Sequence, residues 1–280
     1  MRRQAVWIGL VAIIAAAAGV VTFVRLTSSE ETPIQVTPTQ TQASACQAGP
    51  PQGETFDAEA TKLFIEFNAT DEDLGVHGSL DADGWKTFCF FDPNGRPVLE
   101  VGPQGELSNL GMAALFFESR EPATDEFSFE TLAAAFPEGT YTVRGEAFNG
   151  RALTGEATFT HDVPAEPEIT APELVEEPEQ AEASAGVPLD GLTVTWNEVT
   201  ETVNGGSVNI TGYQVVVTDE EAEDPHGFAR PVYDVHVPPT VTELSIAPEF
   251  LEADTVYELE VLALEESGNQ TISVGFFKTA

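Results

Sequence analysis

Residues 251–265 of this chain read LEADTVYELEVLALE, and they determine how its C-terminal third folds. From Tyr257 onward alternate side chains are apolar, a period of two that is typical of a β-strand with one buried face. The residues expected on the buried face are Tyr257, Leu259, Val261 and Ala263. Leu251 precedes Tyr257 by six residues, so an apolar side chain also lies just before the strand. The pattern predicts a core strand of a β domain.

Further strands are predicted on both sides of this one. Upstream, the stretch LTVTW ends in a tryptophan and the stretch ITGYQVVV contains a glycine–tyrosine pair. Downstream, a Ser-Gly-Asn turn leads into a last strand. The predicted strands and turn are 192–196, 210–217, 244–246, 257–263, 267–269 and 271–279, with a first strand near Ile169.

In order and spacing these residues resemble a fibronectin type III domain, over roughly ninety to a hundred residues. The matching features are Trp196, Gly212-Tyr213, Leu251 with Tyr257, and Ser267-Gly268. The resemblance implies a tyrosine corner, in which the Tyr257 hydroxyl bonds to backbone while the ring stays in the core. It also implies a recognition or spacer module without chemistry of its own. The C-terminal unit has no Arg-Gly-Asp sequence, so integrin-type adhesion is not supported.

Residues 60–165 are predicted to form an immunoglobulin-like β-sandwich with one short helix. Alternation at 63–67 indicates a strand, and Trp85–Phe91 is apolar on both faces, as a central strand would be. Spacing from Phe129 to Phe136 predicts the helix, and Asn149-Gly150 favours a type I′ hairpin turn. The fold class is therefore all-β, with two tandem sandwiches. The second occupies 166–280 and includes an acidic linker at 171–189.

The N-terminus predicts a membrane anchor. The run from Ala5 to Val24 has no charge and roughly 20 residues, enough to span a bilayer core as a helix. Arg2 and Arg3 place the N-terminus in the cytoplasm by the positive-inside rule. Residues 1–25 are thus a transmembrane signal-anchor, 26–59 a disordered stalk, and 26–280 extracytoplasmic. The alternative is a cleaved signal peptide, which would leave the protein secreted or periplasmic.

Charge and cysteine content narrow the class of partner. The chain has 47 Asp and Glu against 11 Lys and Arg, a net charge of −36. Such a surface repels nucleic acid and anionic lipid, so no nucleic-acid partner is expected. The two cysteines do not form a disulfide framework. We expect Cys89 to be a buried thiol and Cys46 to be incidental, with a bridge between them as the alternative.

One acidic segment is a candidate calcium site. Carboxylates at alternate positions before a glycine let a loop surround a hard cation such as Ca²⁺. The candidate ligands are Asn68, Asp71, Asp73, Asp81 and Asp83. The spacing is not that of an EF-hand. No other cofactor is expected.

The sequence contains no catalytic signature. The four histidines are scattered without zinc-ligand spacing, and a Glu118–Glu121 carboxylate pair carries little signal in so acidic a chain. We therefore expect a non-enzymatic, membrane-anchored binding or scaffolding protein of the cell envelope, with an extracellular or periplasmic protein or glycan as partner. The alternatives are an accessory substrate- or glycan-binding protein of an envelope enzyme, or a purely structural spacer. Acidic loops around Asp71 and Asp219 are the first candidates for contact.

Overall fold

The structure of the protein is a computed structural model that describes residues 54–219, 221–222 and 232–280. The predicted signal-anchor, the predicted stalk up to residue 53, Cys46 and His226 lie outside the described residues. Within the described ranges, no helix combines the length and the apolar character that crossing a membrane requires.

The first unit (residues 60–165) contains six strands and two short helices, and one further short strand precedes it. They are β1 (Thr55–Asp57), β2 (Ala60–Asn68), β3 (Asp73–Phe91), β4 (Pro97–Val101), α1 (Gly105–Leu110), β5 (Met112–Glu118), α2 (Phe129–Ala135), β6 (Gly139–Ala147) and β7 (Ala152–Phe159). The predicted strands at 63–67 and 85–91 and the predicted helix are confirmed. Helix α1 was not predicted.

Strand β3 is the central element of the first unit. Its first half pairs with β2 and β5, and its second half pairs with β6 and β4. The pairing of β3 with β5 and with β6 shifts in register next to Trp85, which is fully buried. At this irregularity the single long strand β3 changes from one set of neighbouring strands to the other. Strand β1 pairs with β7 and leads directly into β2, so the chain passes from one part to the other. The resulting sandwich-like sheets enclose one hydrophobic core.

The hairpin between β6 and β7 differs from the predicted type I′ turn. A type I′ turn requires positive φ at both central residues. Gly150 has φ 82°, but Asn149 is not among the described non-glycine residues with positive φ. Instead the amide of Gly150 donates to the Ala147 carbonyl at 2.9 Å, and the amide of Ala147 donates to Arg151. The turn is therefore one residue longer on its N-terminal side, and the left-handed conformation falls on the glycine alone.

Within its described residues, the C-terminal unit (166–280) is a sandwich of seven strands with one short helix. Its elements are β8 (Ile169–Ala171), α3 (Pro178–Glu182), β9 (Thr193–Trp196), β10 (Ile210–Asp219), β11 (Val232–Val237), β12 (Glu243–Ser245), β13 (Val256–Glu265) and β14 (Gln270–Lys278). One sheet has the order β12-β9-β8, and the other continues as β14-β13-β10-β11. Every strand expected from the fibronectin type III resemblance is present in the expected order.

The tyrosine corner implied by that resemblance is also present. Tyr257 is 1% exposed, and its hydroxyl oxygen accepts a hydrogen bond from the Glu252 amide at 2.7 Å. Trp196 and Tyr213 lie in the same core, with ring centroids 5.4 Å apart. The C-terminal unit therefore has a fibronectin type III-like fold.

Cys89 is not the free buried thiol that the sequence suggested. It is 1% exposed on β3, and it takes part in a disulfide bond. Cys46, the other cysteine of the sequence, lies outside the described residues.

The acidic segment 171–189 lies against β14. The amide and carbonyl of Val175 both bond to Phe276, at 3.0 and 2.9 Å. The amide of Val187 donates to the Lys278 carbonyl at 2.7 Å. Ala181, on α3, is buried. The segment therefore adds hydrogen bonds to the last strand of the sandwich.

We expect Tyr257→Phe to lower the free energy of unfolding by about 1–2 kcal/mol, because the Glu252 amide loses its acceptor while the ring stays packed. Urea unfolding of the full-length chain in mild detergent measures the change. Tyr233→Phe is the matched control, since its hydroxyl donates to the Ser245 carbonyl at 3.2 Å from a more exposed position. Equal losses in the two variants would contradict the role of the corner.

Candidate functional site: the joint between the two units

The two units share one continuous sheet. Strand β14 pairs in parallel with β2, with Gln270 opposite Glu66 and Ile272 opposite Asn68. The turn after β2 extends the contact, because the Ala69 amide donates to the Ile272 carbonyl at 2.9 Å. The sheet order therefore runs from β7 through β3 and β2 into β14 and β13 without interruption. We call this contact the joint.

Asn269 is the residue that ties the joint together. It is completely buried, and its side-chain oxygen accepts from the Ile65 amide at 2.8 Å. Its side-chain nitrogen donates to the Thr160 hydroxyl at 3.0 Å and the Thr160 carbonyl at 3.2 Å. Its own amide donates to a Glu265 carboxylate oxygen at 3.0 Å. One side chain thus links β2, the end of the first unit and the β13–β14 turn.

Two threonines add hydrogen bonds across the same contact. The Thr271 hydroxyl donates to the Pro164 carbonyl at 2.6 Å, and Thr271 is fully buried. The hydroxyl of Thr70 accepts from the Val274 amide at 2.9 Å. Because buried polar groups are costly when unpaired, these reciprocal bonds specify one arrangement of the two units.

A buried histidine lies beside the joint, between two carboxylates. His77, on β3, is 2% exposed. Its Nε2 atom is 2.8 Å from Glu121 Oε1, and its Nδ1 atom is 3.6 Å from Glu66 Oε2. Glu66 is itself buried, and the side-chain amide of Gln270 on β14 donates to Glu66 Oε2. The cluster therefore includes groups from both units.

Strand register explains why these side chains meet. On β2, Glu66 lies opposite Gly75 of β3, two pairs along from the Phe64–His77 pair, so Glu66 and His77 share a face. A β-carbon at Gly75 would lie 2.7 Å from Glu121 Cγ, so only glycine leaves room for that side chain. On β5, Glu118 lies directly opposite His77.

The electrostatics of the cluster are dominated by negative charge. Burial raises the pKa of Glu66, and the charges of Glu121 and Glu118 act in the same direction. Burial lowers the pKa of His77, but the hydrogen bond to Glu121 and the charges of Glu66, Glu121 and Glu118 outweigh it, so the pKa is raised. Asp73, at the start of β3, has a pKa raised to about 7, first by burial and then by Glu121, Asp71 and Glu66.

The arrangement can hold a proton or a cation, but it does not form a nucleophilic triad. Ser119 is the hydroxyl residue nearest in sequence to Glu121, and its oxygen accepts from the Val76 amide at 3.0 Å. The same hydroxyl donates to the Arg120 carbonyl. Both ring nitrogens of His77 face carboxylates, so neither is directed at a serine.

The structure divides the residues predicted to bind calcium into two groups. Asn68 ends β2 and Asp71 lies in the β2–β3 turn. The Asn68 side chain donates to Asp71 Oδ2 at 3.2 Å, and Asp73 begins β3 opposite Asn68. Asp81 lies roughly 26 Å further along the strand, at about 3.3 Å per residue, and Asp83 is beyond it. All five therefore cannot surround one ion. Calcium binding by Asn68, Asp71 and Asp73 stays a prediction.

Sequence reasoning missed the histidine cluster and the role of Asn269. His77 was one of four scattered histidines, and Glu118 with Glu121 gave almost no signal. Glu66 offered a clue, because it lies between the core residues Ile65 and Phe67 on a strand whose other face is also covered. Asn269 was recognised only as part of a turn.

The other residues singled out from the sequence lie away from the joint or have local roles. Asp219 accepts from the amides of Glu221 and Ala222 at 2.8 and 3.1 Å and so stabilises the turn after β10. The ring of His161 bonds to the Phe136 carbonyl at 2.8 Å. His236 is on the edge strand β11.

Comparisons with known proteins add little to this geometry. No protein-family model matches the chain, and no curated protein sequence matches it. Among solved structures it is similar to the fn3 domain of the human collagen alpha-1(XX) chain, at 18% identity and a TM-score of 0.24, over 35% of this chain and 87% of that one. At TM-scores this low the likeness carries no argument about function.

Two multi-domain structures are similar over more of the chain. The FN1–FN3 domains of chicken CNTN1 match at 11% identity and a TM-score of 0.28, over 81% of this chain and 69% of that one. A tetra-tandem repeat in the extending region of a large adhesion protein matches at 11% identity and a TM-score of 0.26. That match covers 79% of this chain, which spans 50% of the other's length.

We expect Asp73→Asn to stabilise the protein at pH 8 but not at pH 4. A carboxyl whose pKa rises from 3.8 to about 7 on folding binds its proton more tightly in the folded state. The resulting stability is complete below about pH 4 and is lost as the pH rises through 7. Because Asp73 is only half-buried, solvent screening limits the gain at pH 8 to about 1–2 kcal/mol.

Urea unfolding in EDTA at pH 4, 6 and 8 measures this difference. Asp83→Asn, on an exposed position of the same strand, controls for the loss of one negative charge. A gain from Asp73→Asn that is the same at all three pH values would contradict the assignment.

Proposed function

We propose that the protein is a membrane-anchored, extracytoplasmic binding or scaffolding protein of the cell envelope, non-enzymatic, in which two β-sandwich units form one rigid body. The observation that carries the proposal is the joint, in which β2 and β14 pair directly and Asn269 binds both units. A scaffold requires a fixed geometry between its parts, and this contact supplies one.

The joint differs from a flexible linker in its physical chemistry. A linker without contacts lets two domains rotate, and relative motion is then the default. Here the crossing hydrogen bonds are buried, so rotation would leave the Ile65 amide and the Asn269 side chain without partners. Each such group costs about 1–3 kcal/mol when unpaired and buried. The units therefore present their loops in a fixed relative orientation.

The charge of the chain supports a basic protein as partner. With a net charge of −36, the surface attracts cationic surfaces and repels anionic ones. A glycan partner receives less support, because sugar recognition uses exposed aromatic rings. Among the described residues, Phe148 is the one aromatic side chain with large exposure, at 45%. No platform of several rings is formed within the ranges that the structure describes.

A structural spacer is the second candidate function, and the same joint favours it. A rigid two-unit body holds whatever follows or precedes it at a constant distance. The two functions differ in one respect: a scaffold has a reproducible partner, whereas a spacer has none.

We expect the wild-type chain to unfold in a single calorimetric transition and Asn269→Ala to separate it into two. Removing the side chain deprives the buried Ile65 amide of its acceptor and the Thr160 groups of their donor, a loss of about 2–4 kcal/mol at the joint. The two hydrophobic cores then unfold independently. Differential scanning calorimetry of the full-length chain in mild detergent measures the transitions.

Asn209→Ala is the matched control for this variant. Asn209 is exposed, and its side chain donates only to the Glu266 carboxylate, at 2.8 Å. The Asn209→Ala variant should unfold in one transition, at nearly the wild-type temperature. Two transitions already present in the wild type would argue against a rigid joint.

We expect a promiscuous biotin ligase fused after Ala280 to label extracytoplasmic proteins in intact cells, and the fusion to stay in the membrane after carbonate extraction. The labelled set should be enriched in basic proteins and should shrink in the Asn269→Ala background, because the two units no longer present a fixed surface. Labelling without any reproducible partner would favour the spacer. Labelling of cytoplasmic proteins, or release by carbonate, would contradict the proposed location.

A further inference from the structure

The side chains of Glu66, His77, Glu118 and Glu121, here called the His77 cluster, are of types that bind metal ions. They suit a different class of metal ion from the calcium expected from the sequence. We propose that His77, Glu121 and Glu118 bind a divalent transition-metal ion of the Zn²⁺ type, with Glu66 orienting the imidazole. The proposal is independent of the function proposed above, since it concerns side chains on β2, on β3, at the end of β5 and in the segment that follows β5.

The donor atoms of His77 and Glu121 and the orienting carboxylate of Glu66 lie close together. One ligand atom from each of Glu66, His77 and Glu121 lies within 4.8 Å of the other two. Zinc takes nitrogen and oxygen ligands at about 2.0–2.2 Å, so two ligand atoms on one ion lie roughly 3.3 Å apart. The present separation of 2.8 Å between His77 Nε2 and Glu121 Oε1 is a hydrogen bond that has to widen by roughly half an ångström.

The two ring nitrogens of His77 have different surroundings, and these indicate which nitrogen would bind the metal ion. A metal ion takes one imidazole nitrogen, and the other usually donates its N–H to a carboxylate that fixes the ring. Nδ1 faces the buried Glu66 at 3.6 Å, and Gln270 holds that carboxylate in place. Nε2 faces Glu121, whose side chain is 24% exposed. The metal position is therefore on the Nε2 side.

Glu118 completes the ligand set from the solvent side. It lies opposite His77 in the pairing of β3 with β5, and it is exposed. An ion can thus enter past Glu118 and Glu121 without opening the core. The carboxyl groups of Glu66, Glu118 and Glu121 surround a single imidazole, and a divalent cation offsets negative charge at such a site.

The donor types select the class of metal. Ca²⁺ prefers an all-oxygen shell of six to eight ligands, which a histidine-centred site does not provide. An imidazole nitrogen with carboxylate oxygens suits Zn²⁺, Mn²⁺, Co²⁺ or Ni²⁺. The histidine therefore distinguishes this site from the Asn68–Asp71–Asp73 turn, where only oxygen ligands are available.

The test is isothermal titration of Zn²⁺ into the EDTA-treated, dialysed full-length chain in mild detergent at pH 7.5, repeated with Co²⁺ and Ca²⁺. We expect one Zn²⁺ site per chain, a Co²⁺ visible spectrum typical of mixed nitrogen and oxygen ligands, and no Ca²⁺ competition for it. His77→Gln should abolish the binding. Glu118→Gln, at an exposed position where folding is not at risk, should weaken it about tenfold or more.

The matched control is His236→Gln. His236 is an exposed histidine whose Nε2 atom lies 3.9 Å from an Asp234 carboxylate oxygen, so it pairs a histidine with a single carboxylate. The His236→Gln variant should bind Zn²⁺ with unchanged stoichiometry and affinity. Absence of Zn²⁺ and Co²⁺ binding in the wild type, or binding that Glu118→Gln and His77→Gln leave intact, would overturn the proposal.

Discussion

The parallel pairing of β2 with β14 is the contact on which the arrangement of the molecule depends. Without it, two β-sandwiches would each present an open sheet edge, and unpaired edge strands invite association with other chains. With it, each edge satisfies the other, and the sheet of one unit becomes the sheet of the next. Asn269 supports the pairing where the backbone alone would leave the Ile65 amide without an acceptor.

The same contact explains the chemistry beside it. Pairing Gln270 with Glu66 buries a carboxylate at the boundary of the two units, and His77 lies next to it on the neighbouring strand. Burial and the surrounding acids raise the pKa of Glu66 and Asp73, and the neighbouring carboxylates raise the pKa of His77 against the effect of its burial. The molecule therefore places three ionisable groups with raised pKa values where its two units meet.

Sequence reasoning succeeded where the signal was local. The alternation from Tyr257 to Ala263 and the helical spacing from Phe129 both appear where they were expected. It failed at Asn149, where the type of turn depends on the backbone conformation of one residue. It also failed at Cys89, because formation of a disulfide bond depends on contacts that the local sequence does not show. It also grouped Asp81 and Asp83 with Asp73 as ligands of one ion, because proximity in sequence says nothing about distance along an extended strand.

By itself, the sequence determined the all-β class and the order of the C-terminal strands, and its resemblance to fibronectin type III domains implied the tyrosine corner. Those features depend on side-chain periodicity and on pairs of residues that are close in the chain. Only the tertiary structure decided that β2 meets β14, that Asn269 is buried, and that His77 lies between Glu66 and Glu121. Those contacts join residues as many as 204 positions apart. They depend on strand register between separate units, which no local pattern encodes.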